Sequence, residues 1–118
     1  MDQKAALAAL AALAQETRLA LFRLLVVTGP AGLPAGVIAD RLAVLPPSLT
    51  FHLNVLHRAG LISQTRRSRQ LIYAAEYATM NELLAYLTEN CCAGAGVLAP
   101  RCDPAETCSA EAPHESIP

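Results

Sequence analysis

The chain has 118 residues, of which 53% are apolar and 4% aromatic, with a formal net charge of −1. This length allows one domain with a modest core, and an apolar fraction supplied mainly by Ala and Leu favours closely packed helices. No apolar run is long enough for a membrane span, and the N-terminus lacks a basic signal-peptide start, so we expect a cytoplasmic protein without membrane contact.

The charge is divided unevenly along the chain. Residues 1–90 carry eight Lys and Arg against six Asp and Glu, a net charge of +2, whereas residues 91–118 carry one Arg against four acids, a net charge of −3. The net charge of the whole chain is therefore close to zero although residues 1–90 are basic, because the tail is acidic. We expect a folded domain over 1–90 and a flexible tail over 91–118, where Gly, Pro, Ser and acids dominate.

The hydrophobic period predicts a mainly α fold with a small β-hairpin. Leu7, Leu10 and Leu13 share one face of the first predicted helix, with Ala between them. Gly and Pro residues interrupt the helical pattern. After Gly60 the hydrophobic period changes from that of a helix to that of a strand. The five predicted helices cover 3–14, 16–28, 36–43, 47–58 and 78–90, and the two predicted antiparallel strands cover 61–65 and 70–74.

Two short helices joined by a tight turn and followed by a basic hairpin describe a winged helix-turn-helix. The second of these helices, 47–58, should bury its leucines and expose small polar groups toward a DNA groove, and the hairpin tip 66–69 supplies arginines for phosphates. Each residue alone could be ordinary solvated surface, but the combination in this order favours DNA binding. The candidate DNA-binding residues are Ser48, Thr50, His52, Asn54, Arg58, Arg66, Arg67 and Arg69.

All four cysteines of the chain lie near its C-terminus, at Cys91, Cys92, Cys102 and Cys108. In a cytoplasmic protein such a cluster favours soft-metal or metalloid binding, or redox chemistry, over structural disulfides. A vicinal pair offers two sulfurs from one segment, whereas four-thiolate zinc sites commonly use Cys-x-x-Cys. Closing the longer loop to Cys108 costs only about 0.4 kcal/mol more than closing the loop to Cys102, so the third thiol ligand stays open.

The chain resembles the ArsR-type family of arsenic-responsive bacterial winged-helix repressors over about residues 5–90. The resemblance is carried by VIADRL at 37–42, PSLTFHLNVL at 47–56 and RAGLI at 58–62. It implies a repressor rather than an enzyme. It also implies a homodimer through residues 3–14 and 78–90 that binds an inverted repeat in double-stranded operator DNA.

The same resemblance bears on the inducer site. Some family members carry cysteines on the first helix of the DNA-binding motif, and others carry Asp and His on the last helix for zinc. Residues 37–42 have no Cys and residues 78–90 have neither Asp nor His. The chain instead looks like relatives with a vicinal pair after the last helix and a nearby third cysteine. This implies trivalent arsenic or antimony, inorganic or methylated, as the inducer ligand.

Other functions stay open from the sequence. The thiols could bind a soft divalent metal such as cadmium, lead or zinc, or form a disulfide redox switch. A thiol-dependent enzyme is a rival, although no Cys-x-x-Cys accompanies a βαβ unit. A metallochaperone or protein-interaction module that uses the winged helix for protein contact is another.

Overall fold

A computed structural model of the protein describes residues 1–91. The winged helix-turn-helix with five helices and an antiparallel wing, predicted from the sequence, is confirmed, with helix boundaries within three residues of those expected. The thiol-containing tail beyond Cys91 lies outside the described residues, so the division of the chain at residue 90 stays a prediction. In chain order the elements are α1 (Gln3–Leu13), α2 (Glu16–Thr28), β1 (Leu33–Pro34), α3 (Ala35–Leu42), α4 (Pro46–Arg58), β2 (Ile62–Arg67), β3 (Gln70–Ala75) and α5 (Tyr77–Leu87).

The starts of three helices have local causes in the sequence. The Asp2 carboxylate accepts a hydrogen bond from the Ala5 backbone N–H at 2.8 Å, and the Gln15 side-chain oxygen accepts one from Arg18 at 2.9 Å. Both satisfy N–H groups that the first turn of a helix leaves without a backbone partner. The recognition helix α4 instead begins with prolines, which have no N–H to satisfy.

The turn of the helix-turn-helix motif is short. Ala43 caps α3 in the left-handed region, with φ of 55°, and its N–H returns to the last turn of α3. Ile38 from α3 is fully buried, and the leucines that were expected to form the buried face of α4 are each 3% exposed or less: Leu49, Leu53 and Leu56. Burying a side chain of this size contributes about 1.5–3 kcal/mol, so these contacts hold the two helices at a defined angle.

The sheet has one strand more than the sequence predicted. Its order is β1-β3-β2, all antiparallel, with Leu33 opposite Tyr73. The loop before α3 was expected to be irregular, but it approaches β3 so closely that a Cβ on Gly32 would collide with the Tyr73 carbonyl oxygen. Gly32 also has φ of +72°, which favours glycine, so its backbone permits the approach that forms β1.

The buried side of α1 differs from expectation. Ala6, Ala9 and Ala12 are its buried residues, whereas Leu7 and Leu10 are 57% and 39% exposed. Small side chains let α1 lie close to α2 and α4, and that close approach turns the larger side chains away from the core. Leu7 and Leu10 therefore lie outside the core of the single chain, whereas Leu13 is partly buried against it.

The last helix is tied to α2. The Tyr77 hydroxyl donates a hydrogen bond to the Val26 carbonyl oxygen at 2.8 Å, and Leu83 is the buried residue of α5. Leu84 and Leu87 are 41% and 55% exposed. No helix within residues 1–91 is long and apolar enough to cross a membrane.

Candidate nucleic-acid interface

The outer side of α4 is largely polar. Ser48, Thr50, Asn54 and Arg58 are exposed, opposite the buried leucines, and Phe51 is exposed among them. The Thr50 hydroxyl donates to the Pro46 carbonyl oxygen at 3.0 Å, so this hydroxyl proton is used within the helix. Thr50 therefore presents its methyl group and oxygen lone pairs to solvent.

His52 has a different environment from the other candidates on α4. It is half-buried, and its Nδ1 lies 3.2 Å from Nη1 of Arg18 on α2. Burial, and secondarily the positive charge of Arg18, hold the pKa of His52 below its usual value. A neutral His52 that accepts a hydrogen bond from Arg18 fits this geometry, so its position indicates a role in bracing α4.

Arg18 connects three helices, and sequence reasoning missed this role. Its Nε donates to the Ala12 carbonyl oxygen at 2.7 Å, near the end of α1, and its Nη1 reaches His52 on α4. An arginine within an apolar helical stripe gives no sequence signal for such a connection, because its partners lie six and 34 residues away. The Arg18 guanidinium thus joins the helix predicted for dimer contact to the helix predicted to contact DNA.

The arginines of the wing are exposed but do not all lie at its tip. Arg66 and Arg67 belong to β2, opposite Leu71 and Gln70, and only Ser68 and Arg69 form the turn. Ser68 has φ of 55°, as two-residue hairpin turns require. Neighbouring residues of a strand point to opposite faces, so Arg66 and Arg67 project to different sides of the wing.

The exposed cationic groups are available to an external anion. Arg58 of α4 and the three wing arginines form no ion pair and no hydrogen bond with other side chains in the part of the chain that the structure describes. Guanidinium groups without an ion-pair partner can bind phosphate oxygens, to which they donate through paired N–H groups. The helix-turn-helix and the wing thus present the two elements that DNA-binding proteins of this architecture use.

One of the four predicted thiol ligands lies within the described residues. Cys91 is half-buried, four residues past the end of α5, and its backbone N–H donates to the Thr88 carbonyl oxygen at 3.0 Å. Cys92, Cys102 and Cys108 lie outside the described residues. Among residues 1–91, no group of three or more His, Cys, Asp or Glu side chains is arranged to hold a metal ion.

The fold and the interface define a winged helix-turn-helix transcriptional regulator, and comparisons with known proteins give its family. Residues 13–65 match the model of a helix-turn-helix domain family. An ArsR-like transcriptional regulator from Rhodococcus is 31% identical, with a TM-score of 0.66 over 77% of this chain and 82% of that protein. The chain belongs to this family of ArsR-like transcriptional regulators.

Two further solved structures are similar. HlyU from Vibrio cholerae is 28% identical, with a TM-score of 0.58 over 74% of this chain and 97% of that protein. A second ArsR family transcriptional regulator is 26% identical, with a TM-score of 0.64 over 76% of this chain and 90% of that protein. No curated protein sequence matches the chain.

Proposed function

We propose that this regulator is a homodimeric repressor that binds operator DNA and releases it when trivalent arsenic or antimony binds its C-terminal thiolates. Cys91 and Cys92 form the core of the inducer site, and Cys102 or Cys108 supplies the third sulfur. Soft thiolates prefer thiophilic centres, which supports this class of ligand. The observation that carries the proposal is the position of Cys91, one turn beyond a helix that leaves Leu84 and Leu87 exposed.

The dimer in this proposal uses α1 and α5. Leu7 and Leu10 on α1, and Leu84 and Leu87 on α5, are large apolar side chains that the single chain leaves exposed. The two helices are in contact with each other, so these leucines belong to neighbouring elements. Contiguous exposed apolar surface is typical of protein–protein contact, and a second copy of the chain would cover it.

The DNA contacts in this proposal come from α4 and the wing. Ser48, Asn54 and Arg58 lie on the exposed side of α4, where they would meet base edges and phosphates. The wing arginines would add phosphate or minor-groove contacts, which fix the register of the protein on the duplex. His52 would also hold α4 in place through its contact with Arg18.

The proposed coupling follows from where Cys91 lies. Gathering thiolates next to the end of α5 would change that helix and its contacts in the dimer, and so the spacing of the two recognition helices. Linkage requires reciprocity: if arsenite weakens DNA binding by a given factor, DNA weakens arsenite binding by the same factor. Equal arsenite affinity for the free and the DNA-bound protein would contradict this mechanism.

The test measures operator release. An operator is first selected from random-sequence DNA by the full-length protein, and DNA binding is then followed by gel shift with arsenite, methylarsenite, cadmium, lead or zinc. We expect arsenite to release the wild-type protein and to leave Cys91→Ser and Cys92→Ser bound. Cys102→Ser and Cys108→Ser form a matched pair, and the one that abolishes the response identifies the third ligand.

Each other outcome has a defined meaning. Release by cadmium, lead or zinc but not by arsenite would make the protein a sensor of a soft divalent metal. Release by a thiol oxidant, reversed by dithiothreitol, with no response to any thiophilic ligand would indicate a redox switch. Selection of no DNA sequence at all would contradict the repressor function and favour a protein-interaction module.

A further inference from the structure

The two phenylalanines of the chain have opposite environments. Phe22 is 6% exposed in the core, whereas Phe51 is 57% exposed on α4. Phe51 lies opposite the buried Leu49, Leu53 and Leu56, on the side of the helix that carries Thr50 and Asn54. It is therefore an exposed aromatic group on a largely polar, outward-facing surface, one helical turn after the exposed Pro47.

Phe51 is not part of the other exposed apolar surface of the protein. The exposed leucines of the proposed dimer surface lie on α1 and α5, and further exposed apolar side chains lie on α2 (Leu19, Val27) and at the N-cap of α4 (Leu45). The principal contacts of α4 are with α1, α2, α3 and β2 on its buried side. Covering α1 and α5 with a second copy would leave the outer side of α4 open. An apolar contact for Phe51 must therefore come from whatever the outer side of α4 meets.

The Phe51 ring is held in place by its neighbours. It makes an edge-to-face contact with the His52 ring, with centroids 5.5 Å apart and planes at 66°. His52 is in turn held by Arg18, whose Nε is fixed on the last turn of α1. A ring that packs against a neighbouring ring loses less conformational entropy when it makes a further contact, which favours Phe51 as a contact residue.

The major groove of DNA displays one apolar group, the 5-methyl group of thymine. Polar side chains distinguish the bases by hydrogen bonds, and an aromatic ring among them suits this methyl group instead. We propose that Phe51 contacts a thymine 5-methyl group in each operator half-site and makes the protein prefer thymine at that position. This inference rests on the proposed role of α4 as the helix that reads the major groove.

The test removes only the methyl group. In the selected operator, each thymine of a half-site is replaced in turn by deoxyuridine, which keeps the base pair and its hydrogen-bonding groups. We expect one or two positions at which wild-type affinity falls about fourfold per half-site, since one buried methyl-sized group is worth about 0.8 kcal/mol. Replacing both half-sites together should lower affinity about fifteenfold.

The variants show whether Phe51 causes the preference. Phe51→Ala should bind the thymine and deoxyuridine operators equally, and Phe51→Leu should keep part of the difference. Val27→Ala is the matched control, because Val27 is 81% exposed at the end of α2, and it should keep the full fourfold ratio. Thermal denaturation of each variant identifies any loss of folding, and Phe51→Leu provides the test if Phe51→Ala does not fold.

Failure of this inference is separable from failure of the proposed function. If the wild-type protein binds its selected operator but is insensitive to deoxyuridine at every position, Phe51 does not read a methyl group and the repressor function stands. The same conclusion follows if Phe51→Ala retains the thymine preference. If the wild-type protein selects no DNA, the role of α4 itself is wrong.

Discussion

At the scale of single residues, the most consequential side chain is Arg18. Its guanidinium group donates a hydrogen bond to the Ala12 carbonyl oxygen at the end of α1. The same group contacts His52 and so restrains α4. The backbone partner belongs to the set of carbonyls that a helix end leaves unpaired. Removal of the guanidinium therefore affects both helices at once.

We expect Arg18→Gln to lower the free energy of unfolding by about 1–3 kcal/mol, because hydrogen bonds from a charged donor contribute more than neutral ones. Urea denaturation measures this change. Arg23→Gln is the control, since Arg23 is exposed on the same helix and makes neither of these hydrogen bonds. Equal destabilisation by the two substitutions would mean that the hydrogen bonds of Arg18 contribute no stability.

His52 gives the protein a predictable response to pH. Burial and Arg18 lower its pKa in the folded state, so the unfolded state binds a proton at higher pH than the folded state does. The stability associated with neutral His52 is therefore fully present above the unfolded-state pKa of about 6.5 and is lost as pH falls below it.

Thermal denaturation between pH 7.5 and pH 5 tests this response. His52→Gln should reduce the fall in Tm across this range more than His57→Gln does, because His57 is an exposed histidine on the same helix. An identical pH dependence in wild type and His52→Gln would contradict the assignment.

At the scale of elements, the sequence predicts type and order well because most elements are defined by local signals. Helical leucine spacing, Pro46-Pro47 and Gly60 mark α4, and a change of period marks the hairpin. β1 was missed because its two residues are a strand only through pairing with β3, which begins 36 residues after Pro34 in the chain. Such pairing depends on the close approach at Gly32, which no local pattern encodes.

The wing was predicted as an element but not in its detail. All of 66–69 were expected at the tip, whereas β2 extends through Arg67 and only two residues turn. The side chains of Arg66 and Arg67 consequently face opposite sides, and a tip of three equivalent arginines does not exist. The roles of the two arginines in DNA binding should therefore differ.

We expect Arg67→Gln to flatten the slope of log K against log salt by about 0.9 for each phosphate that the variant no longer neutralises, with little change in sequence preference. Fluorescence anisotropy across a salt series measures the slope. Arg66→Gln is the matched control on the adjacent position and should change the slope less. A larger effect of Arg66→Gln would mean that the opposite face of the wing meets the phosphates.

At the scale of the whole molecule, hydrophobic pattern alone could not assign the faces of α1. The leucines 7, 10 and 13 share a helical stripe, yet the core takes the alanines and leaves Leu7 and Leu10 exposed. The hydrophobic period shows which side chains favour burial. It does not show whether they are buried by the same chain or by a second copy of it. The thiol site stays a prediction from residue type, because Cys92, Cys102 and Cys108 lie outside the described residues.

Substitution of both Leu7 and Leu87 by Glu tests the proposed α1–α5 dimer. We expect the double variant to be a folded monomer, since both side chains are more than half exposed in the single chain and surface changes cost about 0.5 kcal/mol or less. Sedimentation equilibrium measures the molecular mass, and circular dichroism checks the fold. Val27→Glu is the control, and a double variant that stays dimeric would contradict the α1–α5 interface.

Because α1 buries alanines on one side and exposes leucines on the other, DNA binding by the regulator would depend on the concentration of the protein itself. In the proposed dimer, the alanines of α1 complete the fold of one chain and its exposed leucines form the association surface, so folding and dimerisation would be separate equilibria. The concentration of molecules able to bind both halves of an operator then rises with the square of the monomer concentration at low abundance. Occupancy of the promoter would follow the rate of synthesis of the protein as well as the level of its inducer.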